Sequence, residues 1–219
     1  MKQNEKRMFL WGSVYVVGFA VWTAMILLID VKPLGQGGTN IGFATWNLWF
    51  HQLTGVHMII YNITDWLGLV PIFVCVMFGI MGLIQLIQRR SLRKVDYDII
   101  ILGIYYVIVI AAFILFEMIP INYRPILIEG VMEASYPSST TLLVLSVMPT
   151  FIFQANRRLK NEVRKKMITI STMVFSVFMV IGRLIAGVHW FTDIVGGVLL
   201  SAGLFYIYKA VVLLVNKEH

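Results

Sequence analysis

Residues 99–119 have the sequence IIILGIYYVIVIAAFILFEMI, an apolar run whose one charged side chain, Glu117, stands near its end. Lipid offers no hydrogen-bond partners to the backbone, so a run of about 20 apolar residues predicts a transmembrane α-helix. The whole chain agrees with this interpretation, since 59% of its 219 residues are hydrophobic and only 13% are charged. Such a composition excludes a soluble globular protein and indicates an all-α protein that is integral to a membrane.

Further apolar runs lie on either side of residues 99–119 and make this a polytopic protein with six predicted transmembrane helices. In chain order they are Met8–Ile29, Leu67–Ile87, Ile99–Ile119, Thr141–Phe153 with its flanks, Met167–Ile185 and Ile194–Val215. Between the first two, the aromatic segment Phe43–Phe50 predicts a helix at the membrane interface, where Trp46 and Trp49 would meet the headgroups. No Pro- or Ser-rich linker divides the chain, so residues 1–219 are expected to form a single domain.

Lysine and arginine are distributed unequally between the two sides of the predicted spans. Most of them fall in four clusters, at residues 2–7, 89–94, 157–166 and 209–217. The other side holds only Lys32, Arg124 and Arg183. Because positively charged short loops stay in the cytoplasm, both termini are predicted to be cytoplasmic, and the opposite face points outward from the cell membrane. The net charge of +7 is then explained by topology and anionic lipid headgroups, and no nucleic-acid partner is expected.

The outward face carries a group of residues whose chemistry the topology does not explain. Arg183 ends the fifth predicted span, His189 lies in the following turn, and Asp193 begins the sixth span. His189 and Asp193 are four residues apart, so the carboxylate is predicted to accept a hydrogen bond from one ring nitrogen and leave the other as a base or nucleophile. The planar guanidinium of Arg183 suits a phosphate. Two simpler interpretations remain open: an interfacial histidine with its ring tip in water, and an aspartate that favours a helix N-terminus.

A second group precedes the fourth predicted span. It consists of Tyr123-Arg124-Pro125 and of Tyr136-Pro137-Ser138-Ser139-Thr140-Thr141. Hydroxyl groups and unpaired backbone N–H groups at a helix start can bind an anion, although helix capping alone would also explain them. The group lies on the same predicted face as Arg183 and His189, which favours a common phosphate site.

With these motifs the chain resembles the type 2 phosphatidic acid phosphatase family of integral membrane lipid phosphatases. That family carries three outward-facing motifs, Lys-x6-Arg-Pro, Pro-Ser-Gly-His and Ser-Arg-x5-His-x3-Asp. Residues 182–193 match the third motif, with Gly182 in place of its serine. The resemblance implies a metal-independent hydrolase without a cofactor, which acts on a lipid phosphate or diphosphate. It also implies a phosphohistidine at His189, oriented by Asp193, with Arg124 and Arg183 on the phosphate oxygens.

The chain departs from the family pattern in the first two motifs. Ser138 is retained, but Ser139 replaces a glycine and Thr140 replaces the histidine that protonates the leaving group in the family. Glu117 stands where the first motif has a lysine. A general acid contributes about 10²–10⁴-fold in rate, and its loss slows most the release of an alcohol, which leaves poorly without a proton. A phosphate leaving group needs the acid much less. A diphosphate such as a polyprenyl diphosphate is therefore expected to be a better substrate than a monoester such as phosphatidic acid.

Several alternatives remain at this stage. Glu117, Glu129 or Glu133 could replace the missing acid if burial raised its pKa. A catalytically impaired relative that binds phospholipid or regulates other membrane proteins is the alternative function. A transporter or channel is disfavoured, because the predicted spans contain almost no acidic residues. His51, His57 and His219 lack metal-ligand spacing, so no metal site is expected, and the oligomeric state is left open.

Overall fold

The structure of the protein is a computed structural model, which describes residues 3–215. The predicted basic ends at Lys2 and Lys217, and also His219, lie outside the described residues. Within residues 3–215 there are eight α-helices and two short 3₁₀ turns, at Gln36–Gly38 and Leu92–Lys94. The α-helices are α1 Gln3–Leu28, α2 Ala44–Thr54, α3 Met58–Leu67, α4 Leu69–Arg89, α5 Tyr97–Met118, α6 Ser139–Arg158, α7 Glu162–Ile185 and α8 Phe191–Val215. The predicted all-α fold class is confirmed.

Among the described residues, five helical segments are long and apolar enough to cross a membrane. They are α1, α3 together with α4, α5, α7 and α8. The second predicted span differs most from its counterpart, because the helical segment starts at Met58 rather than at Leu67. Helix α3 runs almost directly into α4 at Gly68, whose backbone keeps right-handed helical angles, so the two form one continuous apolar segment.

Helix α6 is the counterpart of the fourth predicted span, but it is not among the five segments that are apolar enough to cross a membrane on their own. It packs against α4, α5, α7 and α8, and two of its polar side chains, Thr150 and Gln154, have partners on neighbouring helices. Thr150 Oγ1 lies 2.8 Å from the Tyr106 hydroxyl, and Gln154 Nε2 donates to the Tyr208 hydroxyl at 2.9 Å. Neighbouring helices thus satisfy groups that lipid would leave unpaired.

Helices α1 and α2 hold the N-terminal end of α8 in place. The indole Nε1 of Trp22 donates to the Thr192 carbonyl at 3.1 Å, and Asn47 Nδ2 donates to Thr192 Oγ1 at 3.0 Å. Helix α2 is the helix predicted around Phe43–Phe50, and about half of the surface of Trp46 is exposed, as is expected of an interfacial side chain. These bonds fix the position of the residue that follows Thr192, which is Asp193.

The segment between α5 and α6 folds back on itself as a narrow hairpin, without forming a named strand. Arg124 N donates to the Glu133 carbonyl at 3.1 Å, and Ser135 N donates to the Asn122 carbonyl at 2.9 Å. The tip of the hairpin lies near Glu129, which is exposed. This folding carries Asn122, Arg124 and Ser135 to the ends of α7 and α8.

Candidate active site

His189 lies in the turn between α7 and α8, and its ring is buried with only 3% of the residue exposed. The interpretation as an interfacial histidine with its ring tip in water is therefore wrong. Nδ1 lies 3.2 Å from the carbonyl oxygen of Ser135. Because a carbonyl can only accept, Nδ1 carries the hydrogen and Nε2 keeps its lone pair. Nε2 is buried and has no hydrogen-bond partner, which leaves it available to a substrate.

The tight turn that presents His189 requires a glycine at position 187. Gly187 has φ of +70°, and a Cβ atom there would lie 2.0 Å from the backbone oxygen of Gly55. A side chain would therefore be excluded both by backbone conformation and by contact. The His57 amide further ties the chain to this turn by donating to the Ala186 carbonyl at 3.0 Å.

Asp193 is fully buried beside His189, but the predicted direct hydrogen bond between them is absent, since Nδ1 and Oδ2 are 3.9 Å apart. The Ser135 hydroxyl lies between the two groups: Oγ donates to Asp193 Oδ2 and lies 3.2 Å from His189 Nδ1. The carboxylate is turned away from the ring because it has other donors, the Trp190 amide at 2.9 Å and Asn122 Nδ2 at 3.2 Å. Asp193 thus both caps the start of α8 and supports the imidazole through Ser135.

Arg124 and Arg183 are both buried, with 7% and 1% of their surface exposed. Each has one acidic partner: Arg124 Nη2 lies 3.0 Å from Glu133, and Arg183 Nη1 lies 3.6 Å from Asp65. Nε and Nη1 of Arg124 and Nε of Arg183 are buried without a hydrogen-bond partner. Since an unpaired buried N–H of a cation is unfavourable, these three groups indicate a place where an anion binds.

The two guanidinium groups also act on the protonation of His189. Burial, followed by the nearby charges of Arg124 and Arg183, lowers the pKa of His189 well below its ordinary value. The ring is therefore neutral near pH 7. A neutral imidazole with a free Nε2 is the form that can attack phosphorus.

The start of α6 joins the same site. Ser138 N donates to the Asp193 carbonyl at 3.1 Å, and the Ser138 hydroxyl is buried without a partner. No side-chain cap is made at this helix start, so capping does not account for Ser138. Ser139 and Thr140 are half-buried in the first turn, where backbone N–H groups of a helix are free to bind an anion.

The three predicted substitute acids lie in different surroundings. Glu133 contacts Arg124, whereas Glu129 is exposed near the tip of the hairpin. Glu117 is exposed near the end of α5, within electrostatic reach of Arg124 and Glu133. Within residues 3–215, no three His, Cys, Asp or Glu side chains are grouped as metal ligands would be. The unpaired atoms of the site are mainly donors, which suit an anion.

A cavity of about 480 Å³ opens between α4, α5 and α6. Asp65, Ser139 and Thr140 line it at the end nearest the site, and Cys75 and Val147 line it further along the helices. Its walls are mostly apolar side chains. From Ser139 to Val147, α6 advances about 12 Å, so the cavity can receive part of one hydrocarbon chain.

The sequence interpretation missed Asn122, Ser135 and Asp65. Asn122 lies one residue before the predicted segment at Tyr123, and Ser135 lies one residue before the segment at Tyr136. Their position next to these segments is the one sequence feature that could have indicated them. Their role depends on the hairpin, which a single sequence does not reveal. Asp65 lay beyond the predicted sites altogether.

Comparisons with known proteins add an independent line of information. Residues 119–217, which include the hairpin and α6 to α8, match the sequence profile described as the PAP2 superfamily. The fold is similar to the crystal structure of a transmembrane PAP2-type phosphatidylglycerolphosphate phosphatase from Bacillus subtilis, with a TM-score of 0.63 and 19% identity. That similarity covers 90% of this chain and 94% of the other. No curated protein sequence matches significantly.

Proposed function

We propose that this chain, whose residues 119–217 match the PAP2 superfamily profile, is a member of that superfamily and an integral membrane phosphatase for a lipid phosphate or lipid diphosphate. The observation that carries the proposal is the buried, unpartnered Nε2 of His189, beside the unpaired donors of Arg124 and Arg183. A nucleophile and an anion-binding pair then share one site. The apolar cavity that begins at Ser139 and Thr140 supports a substrate with a hydrocarbon chain.

In the proposed reaction His189 is the nucleophile. Its Nε2 lone pair forms a bond to phosphorus while the bond from phosphorus to the leaving oxygen breaks, and that oxygen keeps the electron pair. The imidazole becomes positively charged, and its Nδ1 hydrogen points to Ser135. The Ser135 hydroxyl donates to the Asp193 carboxylate, so its oxygen becomes a better acceptor for the charged ring. Water then attacks phosphorus, the phosphorus–nitrogen bond breaks, and inorganic phosphate leaves.

The leaving group decides which substrates react quickly. Thr140 occupies the position of the family's acid, and an alcohol hydroxyl is far too weak an acid to protonate an alkoxide. In a lipid diphosphate attacked at its terminal phosphorus, the leaving group is the lipid monophosphate, whose phosphate oxygens accommodate the negative charge without a proton. We therefore propose a diphosphate such as a polyprenyl diphosphate as the preferred substrate, cleaved at the outer leaflet of the cell membrane.

A second candidate function is a catalytically impaired relative that binds phospholipid or regulates other membrane proteins. It is favoured by Thr140 and by Glu117, which replaces the lysine of the first motif. It is also compatible with the pairing of Arg124 to Glu133, because a site already supplied with a counter-charge holds phosphate less tightly. The two candidates differ in whether phosphate is released.

The test measures inorganic phosphate released by the purified protein in detergent micelles from a polyprenyl diphosphate and from phosphatidic acid. We expect faster release from the diphosphate, none above background in His189→Ala, and an acid-labile phosphoprotein in rapidly quenched wild type. His57→Ala is the matched control, because His57 is an exposed histidine that bonds only the nearby Thr54 carbonyl through its ring. Faster monoester hydrolysis would refute the substrate preference. Phosphate release undiminished in His189→Ala would refute the nucleophile, and no release by wild type would favour the binding protein.

A further inference from the structure

Helix α3 packs against the C-terminal end of α7, beside the candidate site. The contact depends on Gly182, since a Cβ atom there would lie 2.7 Å from Thr64 Cγ2. Real Cβ atoms do not approach other atoms so closely, so a larger residue would force the Thr64 side chain or one of the two helices to move. Gly182 occupies the position of the serine in the third family motif. The departure from that motif therefore coincides with the close approach of α3.

The close approach brings two side chains of α3 to Arg183. Thr64 is fully buried, and Arg183 Nη1 lies 3.4 Å from its Oγ1. The Thr64 hydroxyl hydrogen points back to its own helix, toward the Ile60 carbonyl at 2.9 Å, so Oγ1 acts as an acceptor for Arg183. Asp65 Oδ1 lies 3.6 Å from the same nitrogen. One edge of the Arg183 guanidinium is thus held by α3, and its Nε remains unpaired.

Tyr61, one turn earlier on α3, contacts both arginines of the site. The Cζ atom of Arg183 lies 5.0 Å from the centre of the Tyr61 ring, and that of Arg124 lies 5.8 Å from it. An aromatic ring attracts cations, and the attraction grows when the pair is buried. The ring therefore stabilises two like charges that would otherwise repel each other close to His189.

We propose that α3 is a positioning element for the phosphate site. Tyr61 holds the two guanidinium groups together, Thr64 orients Arg183, and Gly182, which lacks a side chain, leaves room for α3 to pack against α7. This inference rests on the proposed phosphate site, but it does not require turnover. These three residues do not touch the reacting atoms. They act through Arg124 and Arg183, so their loss changes anion affinity more than the chemical step.

The first test compares Tyr61→Leu with Tyr61→Phe, both in a His189→Ala background that cannot form a phosphoprotein. Binding of inorganic phosphate is measured by phosphorus NMR titration of the purified protein. We expect Tyr61→Leu to weaken phosphate binding about tenfold and Tyr61→Phe to bind as the parent does, because phenylalanine keeps the ring. Equal binding by all three proteins, or equal weakening in both variants, would overturn the role of the ring.

The second test examines the contact between α3 and α7 by rescue. Gly182→Ala should weaken phosphate binding about tenfold, although alanine favours helix more than glycine does. Adding Thr64→Ser removes the Cγ2 methyl group that the new Cβ would meet and keeps the hydroxyl group that Arg183 uses. The double variant should therefore recover the parent's affinity. Failure of the rescue in a protein that elutes and unfolds like the parent would overturn the proposal.

The two proposals can fail separately. If wild type releases no phosphate from any lipid but these variants change phosphate binding as expected, the positioning role stands and the phosphatase proposal falls. If wild type is an active phosphatase but Tyr61→Leu, made without the His189 change, keeps its KM and kcat, the positioning proposal falls alone. A positioning role predicts a raised KM with kcat less affected.

Discussion

Ser135 connects the imidazole of His189 to the carboxylate of Asp193, which cannot reach the ring itself at 3.9 Å. We expect Ser135→Ala to lower kcat about 10–100-fold, because the positively charged ring loses its contact with the Ser135 hydroxyl, which is itself bonded to the Asp193 carboxylate. Steady-state phosphate release measures the effect. Ser146→Ala is the matched control, since Ser146 is a fully buried serine further along α6. An unchanged kcat in Ser135→Ala would show that the Ser135 carbonyl alone suffices.

The neutral state of His189 gives a prediction about pH. Its lowered pKa means that the ring stays unprotonated, and able to attack, until the pH falls well below the ordinary value of about 6.5. The fall of kcat/KM on acidification should therefore lie at a lower pH than for an ordinary histidine. Removing a nearby positive charge favours the protonated ring, so Arg124→Gln should raise the pKa and move this fall to higher pH.

Profiles of kcat/KM against pH, each scaled to its own plateau, measure that shift. The scaling separates the shift from the weaker substrate binding that Arg124→Gln also causes. The ionisation of the substrate is the same for both proteins, so it contributes equally to both profiles. Superimposable scaled profiles would contradict the electrostatic influence of Arg124 on His189.

The cavity beside α6 is the proposed binding place of the substrate's hydrocarbon chain, and filling it should affect only long-chain substrates. Leu143 lines the cavity and Val107 is exposed on the outside of α5. Leu143→Trp should raise KM for a long-chain substrate about tenfold, which corresponds to two displaced methylene groups at about 0.8 kcal/mol each. Val107→Trp is the matched control.

A short-chain, water-soluble substrate completes this experiment, because it does not reach the cavity. Its KM should be the same in wild type and in Leu143→Trp. If the tryptophan raises KM equally for both substrates, the cavity does not hold the chain and the variant acts on the site itself.

Helices differ in how far the sequence predicts them. The apolar runs of α1, α5, α7 and α8 are sufficient to predict these helices, because lipid requires backbone groups to be hydrogen-bonded within a helix. Helix α3 was not predicted, since Asn62, Thr64 and Asp65 interrupt its apolar pattern. Two of these residues, Thr64 and Asp65, contact Arg183, which lies on another helix. Helix α6 was predicted, but its polar side chains are explained by neighbouring tyrosines that no local pattern reveals.

The candidate site shows the same division. Gly182–Asp193 predicts a nucleophile, a carboxylate and an arginine, because their spacing is local. Asn122 and Ser135 reach Asp193 across 71 and 58 residues, through a hairpin held by backbone pairs. Sequence spacing therefore predicted that Asp193 supports His189, but it gave the wrong contact, since the intervening hydroxyl comes from a distant segment.

The protein has two chemically different ends. Arg158 Nη2 lies 2.8 Å from Asp98, and Arg89 Nη1 lies 2.7 Å from Asp96, so basic loops meet at the end of the bundle opposite to His189. Helix α6 extends from one end to the other and has 20 residues. Its length of about 30 Å equals the thickness of a bilayer's hydrocarbon core. On these two features we base the prediction that α6 is a sixth span and that the basic loops are cytoplasmic.

Labelling of single cysteines in intact cells tests this arrangement. Cys75 is the one cysteine of the chain, so Cys75→Ala provides a background without thiols. In that background we expect Glu129→Cys, near the tip of the hairpin, to react with a membrane-impermeant maleimide in intact cells. Lys160→Cys, between α6 and α7, should react only after the cells are permeabilised. Because α6 lies between the two positions, equal labelling of both in intact cells would mean that α6 does not cross the membrane. The reverse pattern would place His189 on the cytoplasmic side, and the substrate would then have to come from the inner leaflet.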